Sequence, residues 1–170
     1  MSPTKALPRF VAAVLLALAP IAGATVFAST ATANLAVSAT VANNCTITTN
    51  AVSFGAYDPI VAQASANLDT TGSVVIACTK GAVTTIGLDT GANASGAIRR
   101  LGSAGSFLTY ELYQDSARAT VWSNSGAGLL SIVAAPSKAA RTYTVYGRVT
   151  GGQDVPAGTY TDTIVATVNF

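Results

Sequence analysis

Alternation of apolar and polar residues is the main pattern along this chain, and its two-residue period is typical of β-strands with one buried face. The longest example closes the chain, where apolar side chains stand at Ile164, Ala166, Val168 and Phe170. A second example precedes the first cysteine, with apolar side chains at Leu35, Val37, Ala39 and Val41. Both segments are therefore predicted to be strands.

Shorter patterns between these two segments predict further strands, separated by turns rich in glycine, proline and asparagine. Residues 60–71 and 89–96 are predicted loops, and residues 126–138 are rich in loop-forming residues. No helical repeat intervenes, which favours an antiparallel sandwich in a single domain. The additional predicted strands cover 45–54, 73–78, 83–88, 108–112 and 142–149.

The composition favours the same fold class. Of the 170 residues, 50% are hydrophobic and only 9% are charged, which is a low charge content for a globular protein. Alanine, threonine, serine, glycine and valine replace the charged helix formers, and Glu111 is the sole glutamate. We therefore predict an all-β protein.

The N-terminus has the three-part layout of a secretory signal peptide. Lys5 and Arg9 precede an apolar stretch over residues 10–19, and small residues follow it up to Ala24. The apolar stretch is shorter than the roughly 20 residues that a membrane-spanning helix needs. We predict a signal peptide over residues 1–24 and no stable membrane span after its cleavage, rather than a short buried helix. Cleavage after Ala28 or Ala33 would also follow an acceptable small-residue pattern.

Removal of that leader changes the charge balance. The whole chain has nine basic and seven acidic residues, for a net charge of +2. Cleavage would remove Lys5 and Arg9 and leave a formally neutral protein. The sole basic doublet, Arg99-Arg100, has no interleaved aromatic residues. Nucleic acid is therefore not an expected partner.

Catalytic chemistry is not indicated by the residue types. The chain has no histidine, so the usual general base and every Ser-His-Asp or Cys-His arrangement are missing. Glu111 and Asp115 could form a glycosidase pair, but solvated positions near a strand end are the simpler interpretation. The tyrosines and Trp122 fit core packing better than a sugar-binding platform. We expect no enzymatic activity, no cofactor and no metal site.

The two cysteines, Cys45 and Cys78, suggest a disulfide, because an even pair in an exported chain usually pairs. Closing the loop between them would remove roughly 3–4 kcal/mol of unfolded-state entropy in the chain-entropy model. A metal site would need more ligands than two thiols. Two free thiols are the alternative.

Several motifs, in this order and spacing, resemble the spore coat protein U domain family, and the similarity runs from Leu35 to the end of the chain. They are Cys-Thr-Ile at 45–47, Phe-Gly-Ala-Tyr-Asp-Pro at 54–59, Cys-Thr-Lys-Gly at 78–81, Leu-Thr-Tyr-Glu-Leu-Tyr-Gln-Asp at 108–115, Trp122, Thr-Val-Tyr-Gly-Arg at 144–148 and Gly-Thr-Tyr-Thr-Asp-Thr at 158–163.

The resemblance implies an immunoglobulin-like antiparallel β-sandwich that lacks its last strand. The family includes subunits of archaic, Csu-type chaperone–usher pili, in which a periplasmic chaperone first fills the gap. The N-terminal extension of the next subunit then replaces the chaperone, an example of β-strand addition. The implied partners are other fibre subunits, the chaperone and an outer-membrane usher. The implied location is the cell surface or a fimbrium, reached through the periplasm, with a role in adhesion and biofilm formation.

The resemblance also assigns roles to the two alternating segments. Residues 25–44 correspond to the donor-strand extension and residues 45–170 to the sandwich domain. Leu35, Val37, Ala39 and Val41 match the donor strand. Ile164, Ala166, Val168 and Phe170 match the strand that borders the groove and contacts the chaperone. Two alternatives stay open: 35–41 is an ordinary first strand of its own domain, and the protein is a self-contained secreted coat protein.

Overall fold

The computed structural model of the protein describes Gly23 and residues 26–170. The signal peptide predicted over residues 1–24 lies, apart from Gly23, outside the described residues. The described residues divide between Ala39 and Thr40 into two units.

Residues 26–44 contain no strand. Leu35, Val37 and Val41 are 88%, 86% and 83% exposed, and Ala39 is exposed as well. The strand predicted at 35–41 is therefore absent from the described chain, and the alternative of an ordinary first strand is not supported. The apolar side chains of residues 35–41 are exposed to solvent, so they contribute no hydrophobic stabilisation in the free chain.

Residues 40–170 form an immunoglobulin-like sandwich of eight strands in two antiparallel sheets, which confirms the predicted fold class. The five-stranded sheet has the order β1-β2-β7-β5-β4, and the three-stranded sheet has the order β6-β3-β8. The strands are β1 Cys45–Asn50, β2 Leu68–Cys78, β3 Thr84–Leu88, β4 Arg99–Ser103, β5 Ser106–Tyr113, β6 Leu130–Ile132, β7 Arg141–Val149 and β8 Ala166–Asn169, with a 3-10 turn at Gly126–Gly128.

Some strand boundaries differ from the predicted ones. β1 ends at Asn50 and β8 begins at Ala166, so both are shorter than their apolar alternation predicts. β2 begins at Leu68 inside a predicted loop, and β4 includes Arg99 where no strand is predicted. These two strands carry polar side chains that an antiparallel sheet tolerates but that hide the apolar pattern.

A cross-strand ion pair stabilises the first half of β2 from its outer face. Asp69 lies opposite Arg148 of β7 in the register, and two hydrogen bonds of 2.8 Å join the guanidinium to the carboxylate. This hydrogen bonding holds the pKa of Asp69 below its usual range. Paired side chains of this kind fix strand register even where they add little stability.

The disulfide prediction is confirmed: Cys45 and Cys78 are bonded and lie opposite one another where β1 pairs with β2. The bond ties the first strand of the sandwich to its neighbour at the point where residues 40–44 join the domain. The rest of β1 is held by the backbone ladder and by side-chain contacts such as the 2.7 Å hydrogen bond from the Asn50 side-chain amide to the Ser73 hydroxyl.

Residues 50–54 leave the edge of the five-stranded sheet and cross its inner face. Two glycines make room for this crossing, because a Cβ added at Gly72 or Gly147 would lie 2.6 or 2.7 Å from the Val52 side chain. The crossing brings Val52 and Phe54 against the core. Glycine at positions 72 and 147 is therefore required for residues 50–54 to cross the sheet at this place.

The two sheets are tied together by a buried arginine. Arg99 of β4 is 2% exposed, and its guanidinium donates hydrogen bonds to the carbonyls of Leu88 at 3.0 Å, Asp89 at 2.9 Å and Trp122 at 2.8 Å. It also forms an ion pair with Glu111. The expectation that Glu111 is simply solvated is therefore wrong, because the buried cation requires a counter-charge.

We predict that Arg99→Ala lowers the free energy of unfolding by about 3–5 kcal/mol, because it leaves Glu111 and three carbonyl groups without their donor. Arg100→Ala is the matched control. Arg100 donates to the Asn93 carbonyl at 2.9 Å and stacks 3.9 Å above the Phe107 ring, so its loss should cost about 1 kcal/mol. Urea unfolding of both variants tests this, and equal losses would contradict it.

Candidate strand-accepting groove

An open groove runs along the sandwich between residues 49–57 on one side and residues 155–166 on the other. It consists of two adjoining cavities of about 700 Å³ and 280 Å³. Apolar core side chains form its floor. They are Leu68, Val74, Leu88, Leu101, Leu108, Leu112 and Val145.

One bank of the groove is the C-terminal segment. The Thr163 carbonyl accepts a hydrogen bond from the Ala92 amide at 3.1 Å. Val165 makes two hydrogen bonds with Asp89. Its carbonyl accepts from the Asp89 amide at 3.1 Å, and its amide donates to the Asp89 carboxylate at 2.9 Å. β8 then continues the pairing along β3, with Thr167 opposite Gly87. The odd-numbered residues of this segment therefore direct their main-chain groups toward β3.

The even-numbered residues direct theirs the other way, because successive residues of a strand face opposite neighbours. Among the residues that the structure describes, no strand pairs with this outer edge of β8. The side chains of Ile164, Ala166 and Val168 are half-buried against the core, whereas Phe170 is 55% exposed. The bank thus offers apolar side chains together with an unpaired main-chain edge.

The opposite bank is made by the end of β1 and the crossing segment 50–54. β1 is the outermost strand of the five-stranded sheet. The Thr70 hydroxyl donates to the Ser53 carbonyl at 2.9 Å and holds the crossing segment down. Some Cα atoms of β1 and β8 lie within 8 Å of one another, yet no ladder joins the two strands. The groove separates the two sheets along this line.

A chain of contacts that we name the crossbar spans the groove from bank to bank. It consists of Phe54, Tyr110 and Asp162. The Phe54 ring meets the Tyr110 ring edge-on with centroids 5.9 Å apart, and the Tyr110 hydroxyl donates to the Asp162 carboxylate at 2.7 Å. The other carboxylate oxygen of Asp162 accepts from the Asn93 amide at 3.0 Å. Burial, followed by the bond to Asp162, holds the pKa of Tyr110 well above its usual range.

The crossbar marks the boundary between the two cavities. Four residues line both of them, namely Val52, Phe54, Leu101 and Asp162. Two of the four belong to the crossbar. Asp162 is also the sole charged residue among the described residues that line either cavity. The groove therefore has an apolar floor and is uncharged along its length, apart from one carboxylate whose hydrogen bonds are already made.

Residues 42–44 are fixed at the start of the domain by Thr79. The Thr79 hydroxyl accepts from the Asn44 amide at 3.0 Å and donates to the Ala42 carbonyl at 3.3 Å. The Thr79 amide donates to the Asn44 carbonyl at 2.9 Å. We name this set of bonds the Thr79 clamp; it holds the chain extended immediately before the disulfide.

The other candidate residues make hydrogen bonds or ion pairs within the domain. Asp115 accepts from the Ala119 and Thr120 amides at 3.1 and 2.8 Å, and Glu111 is committed to Arg99, so the two carboxylates are not arranged as a glycosidase pair. Trp122 is fully buried and donates to the Ile86 carbonyl at 2.9 Å.

Within residues 26–170 and Gly23, no group of three or more His, Cys, Asp or Glu side chains is placed to hold a metal ion. The described part of the chain contains no helix that is both long and apolar enough to cross a membrane.

Comparison with known proteins identifies the family. The model of the spore coat protein U domain matches residues 31–167. The chain belongs to the spore coat protein U domain family. Protein U of Myxococcus xanthus is 39% identical to it over 183 residues, covering 97% of this chain and 99% of that protein. This member of the family therefore matches its relative along nearly the whole length of both.

A solved structure shows the same fold. It is the pre-assembly complex of CsuC and CsuE, the chaperone and tip adhesion subunit of archaic chaperone–usher Csu pili of Acinetobacter baumannii. The match has a TM-score of 0.57 and 24% identity, and covers 77% of this chain but 40% of the solved chain. At this identity the likeness establishes the fold that this spore coat U domain adopts.

We predict that Tyr110→Phe lowers the free energy of unfolding by about 1–3 kcal/mol at neutral pH, because Asp162 loses a donor in a poorly solvated site. The folded pKa of Tyr110 lies above its unfolded value of about 10. Its contribution is therefore fully present below about pH 10 and is lost as the pH rises further.

Urea unfolding from pH 7 to 11 checks this prediction. The stability difference between wild type and Tyr110→Phe should stay constant up to about pH 10 and shrink above it. Tyr160→Phe is the control, because the Tyr160 hydroxyl donates to the Pro156 carbonyl at the surface. A difference that grows above pH 10 would contradict the assigned role.

Proposed function

We propose that this protein is a non-enzymatic structural subunit of a surface pilus, assembled by the chaperone–usher route through donor-strand exchange. The observation that carries the proposal is the pairing of an apolar groove with an unpaired main-chain edge at Ile164, Ala166 and Val168. Both requirements are met by one ligand class, an extended segment with apolar side chains at every second position.

The N-terminal extension of a second copy supplies such a segment. Leu35, Val37 and Val41 are at least 83% exposed, and each would gain about 1.5–3 kcal/mol on full burial. Residues 26–44 contain no charged side chain, as insertion into an apolar groove requires. The main chain of the segment would satisfy the open edge of β8 at the same time.

The Thr79 clamp favours a second copy over the chain's own extension as donor. Insertion of 35–41 into the groove of its own domain would need a reversal of the chain at residues 42–44. That reversal would break the hydrogen bonds from Thr79 to Ala42 and Asn44. The extension of a second copy can enter the groove while these hydrogen bonds stay in place.

The comparisons support the partners in this proposal. The solved relative in fold is a chaperone–subunit complex from a chaperone–usher pilus, so a periplasmic chaperone is the partner expected to cover the groove before assembly. An outer-membrane usher and export through the periplasm follow from the same route. The proposed pilus would serve adhesion and biofilm formation.

A self-contained coat protein is the second candidate function. The family is named for a spore coat protein, and the 39% identity with Protein U extends along nearly the whole of both chains, which favours this candidate. In this case the groove would be closed within one molecule or in a simple oligomer, and no strand would pass between copies.

We predict that unboiled surface extracts of cells making the full chain give a ladder on a denaturing gel, and that boiling collapses it to monomer. Leu35→Asp with Val37→Asp should abolish the ladder, because two carboxylates would have to enter an apolar groove. Ala36→Asp with Ser38→Asp is the matched control. It adds the same charge to the face of the strand that points away from the groove, and should retain most of the ladder.

Each outcome separates the two candidate functions. A ladder in wild type and the control, but not in the first variant, supports exchange through 35–41. Monomer in every sample, boiled or not, would contradict the pilus proposal and favour the self-contained coat protein. A ladder unaffected by either pair would mean that another segment couples the subunits.

A further inference from the structure

We infer that Ala39 is the register-setting residue of the donor strand, and that it lies over the crossbar of the accepting copy. This inference rests on the proposed donor-strand function and goes further by assigning the donor position and the reason for its small side chain. Three observations carry it: the division of the groove, the size pattern of the donor and the chemistry of Asp162.

The groove is divided at one place. Val52, Phe54, Leu101 and Asp162 line both cavities, so the boundary between the cavities lies where these four side chains meet. Tyr110 connects Phe54 on one bank to Asp162 on the other. A donor strand that follows the groove from one end to the other must therefore pass over the crossbar.

The crossbar has little freedom to move aside. The carboxylate of Asp162 accepts hydrogen bonds from Tyr110 at 2.7 Å and from the Asn93 amide at 3.0 Å. On its other side it adjoins Gly91, where an added Cβ would lie 2.1 Å from the carboxylate. Because these contacts fix the carboxylate, a long side chain above it would meet a rigid obstacle.

The donor has one small side chain among its groove-facing positions. These positions carry Leu35, Val37, Ala39 and Val41 in that order. Side chains on the same face of a strand are about 6.6 Å apart. If the methyl group of Ala39 lies over the crossbar, Val37 therefore lies over one cavity and Val41 over the other. The match holds for either direction of the donor, because both neighbours of Ala39 are valines.

The chemistry at the crossing also favours alanine. A large apolar side chain there would cover the Asp162 carboxylate and remove what solvent it retains, which costs desolvation free energy. A methyl group leaves that solvation in place and still completes the apolar face. The crossbar thus acts as a size filter within an otherwise permissive groove.

The test is the unboiled-gel assay on the full chain with two leucine substitutions of equal size. Ala39→Leu should reduce the ladder by about tenfold or more, since overpacking at a rigid contact is destabilising. Ala36→Leu, on the opposite face of the same strand, should leave the ladder at its wild-type level. Both positions are exposed in the free chain, so neither change endangers the fold.

Second-site variants locate the contact. Phe54→Ala or Leu101→Ala, each combined with Ala39→Leu, should restore the ladder, because both residues line the boundary between the cavities. Leu68→Ala is the matched control, since Leu68 lines the larger cavity alone. Two different rescuing positions keep the test informative where one of them weakens the domain.

The outcomes distinguish this inference from the function on which it rests. A wild-type ladder that Ala39→Leu leaves unchanged would overturn the register while donor-strand exchange stands. Rescue by Leu68→Ala, without rescue by Phe54→Ala or Leu101→Ala, would place Ala39 over the larger cavity and also overturn it. No ladder in wild type would overturn the proposed function and this inference together.

Discussion

The proposed assembly of this protein would depend on one unpaired strand edge, the main-chain groups of Ile164, Ala166 and Val168. Their side chains are already packed against the core, while their main chain faces an open groove. A strand edge in this state must be covered, because exposed ladders pair with whatever strand they meet. The same edge that makes a free subunit prone to aggregation would receive the donor strand in the proposed assembly.

The rest of the sandwich holds that edge open. Gly72 and Gly147 let residues 50–54 cross the inner face of the five-stranded sheet. Arg99 of β4 ties Leu88, at the end of β3, to Trp122, so the strand with which β8 pairs is anchored to the other sheet. The groove is thus part of the packed structure, and a donor need only fill it.

Sequence periodicity was sufficient for the fold class and for the C-terminal strand β8, because one-sided burial leaves a two-residue pattern, but the same pattern at 35–41 forms no strand in the described chain. It could not tell whether 35–41 pairs within its own domain, since a donor and a first strand have the same pattern. The crossbar was out of reach, because Tyr110 and Asp162 are 52 residues apart and neither has an unusual neighbour. The solvated position expected for Glu111 was wrong for a related reason: its partner Arg99, and the carbonyls that accept hydrogen bonds from Arg99, come together only in the folded chain.

Hydrogen exchange at the open edge tests the central claim most directly. The amides of Ile164, Ala166 and Val168 would be compared between assembled material and the Leu35→Asp, Val37→Asp chain, with Thr167 as an internal reference because it already pairs with β3. Donor-strand exchange predicts strong protection of the three amides only after assembly, with Thr167 protected in both samples. Equal exchange of the three amides in both samples would contradict it.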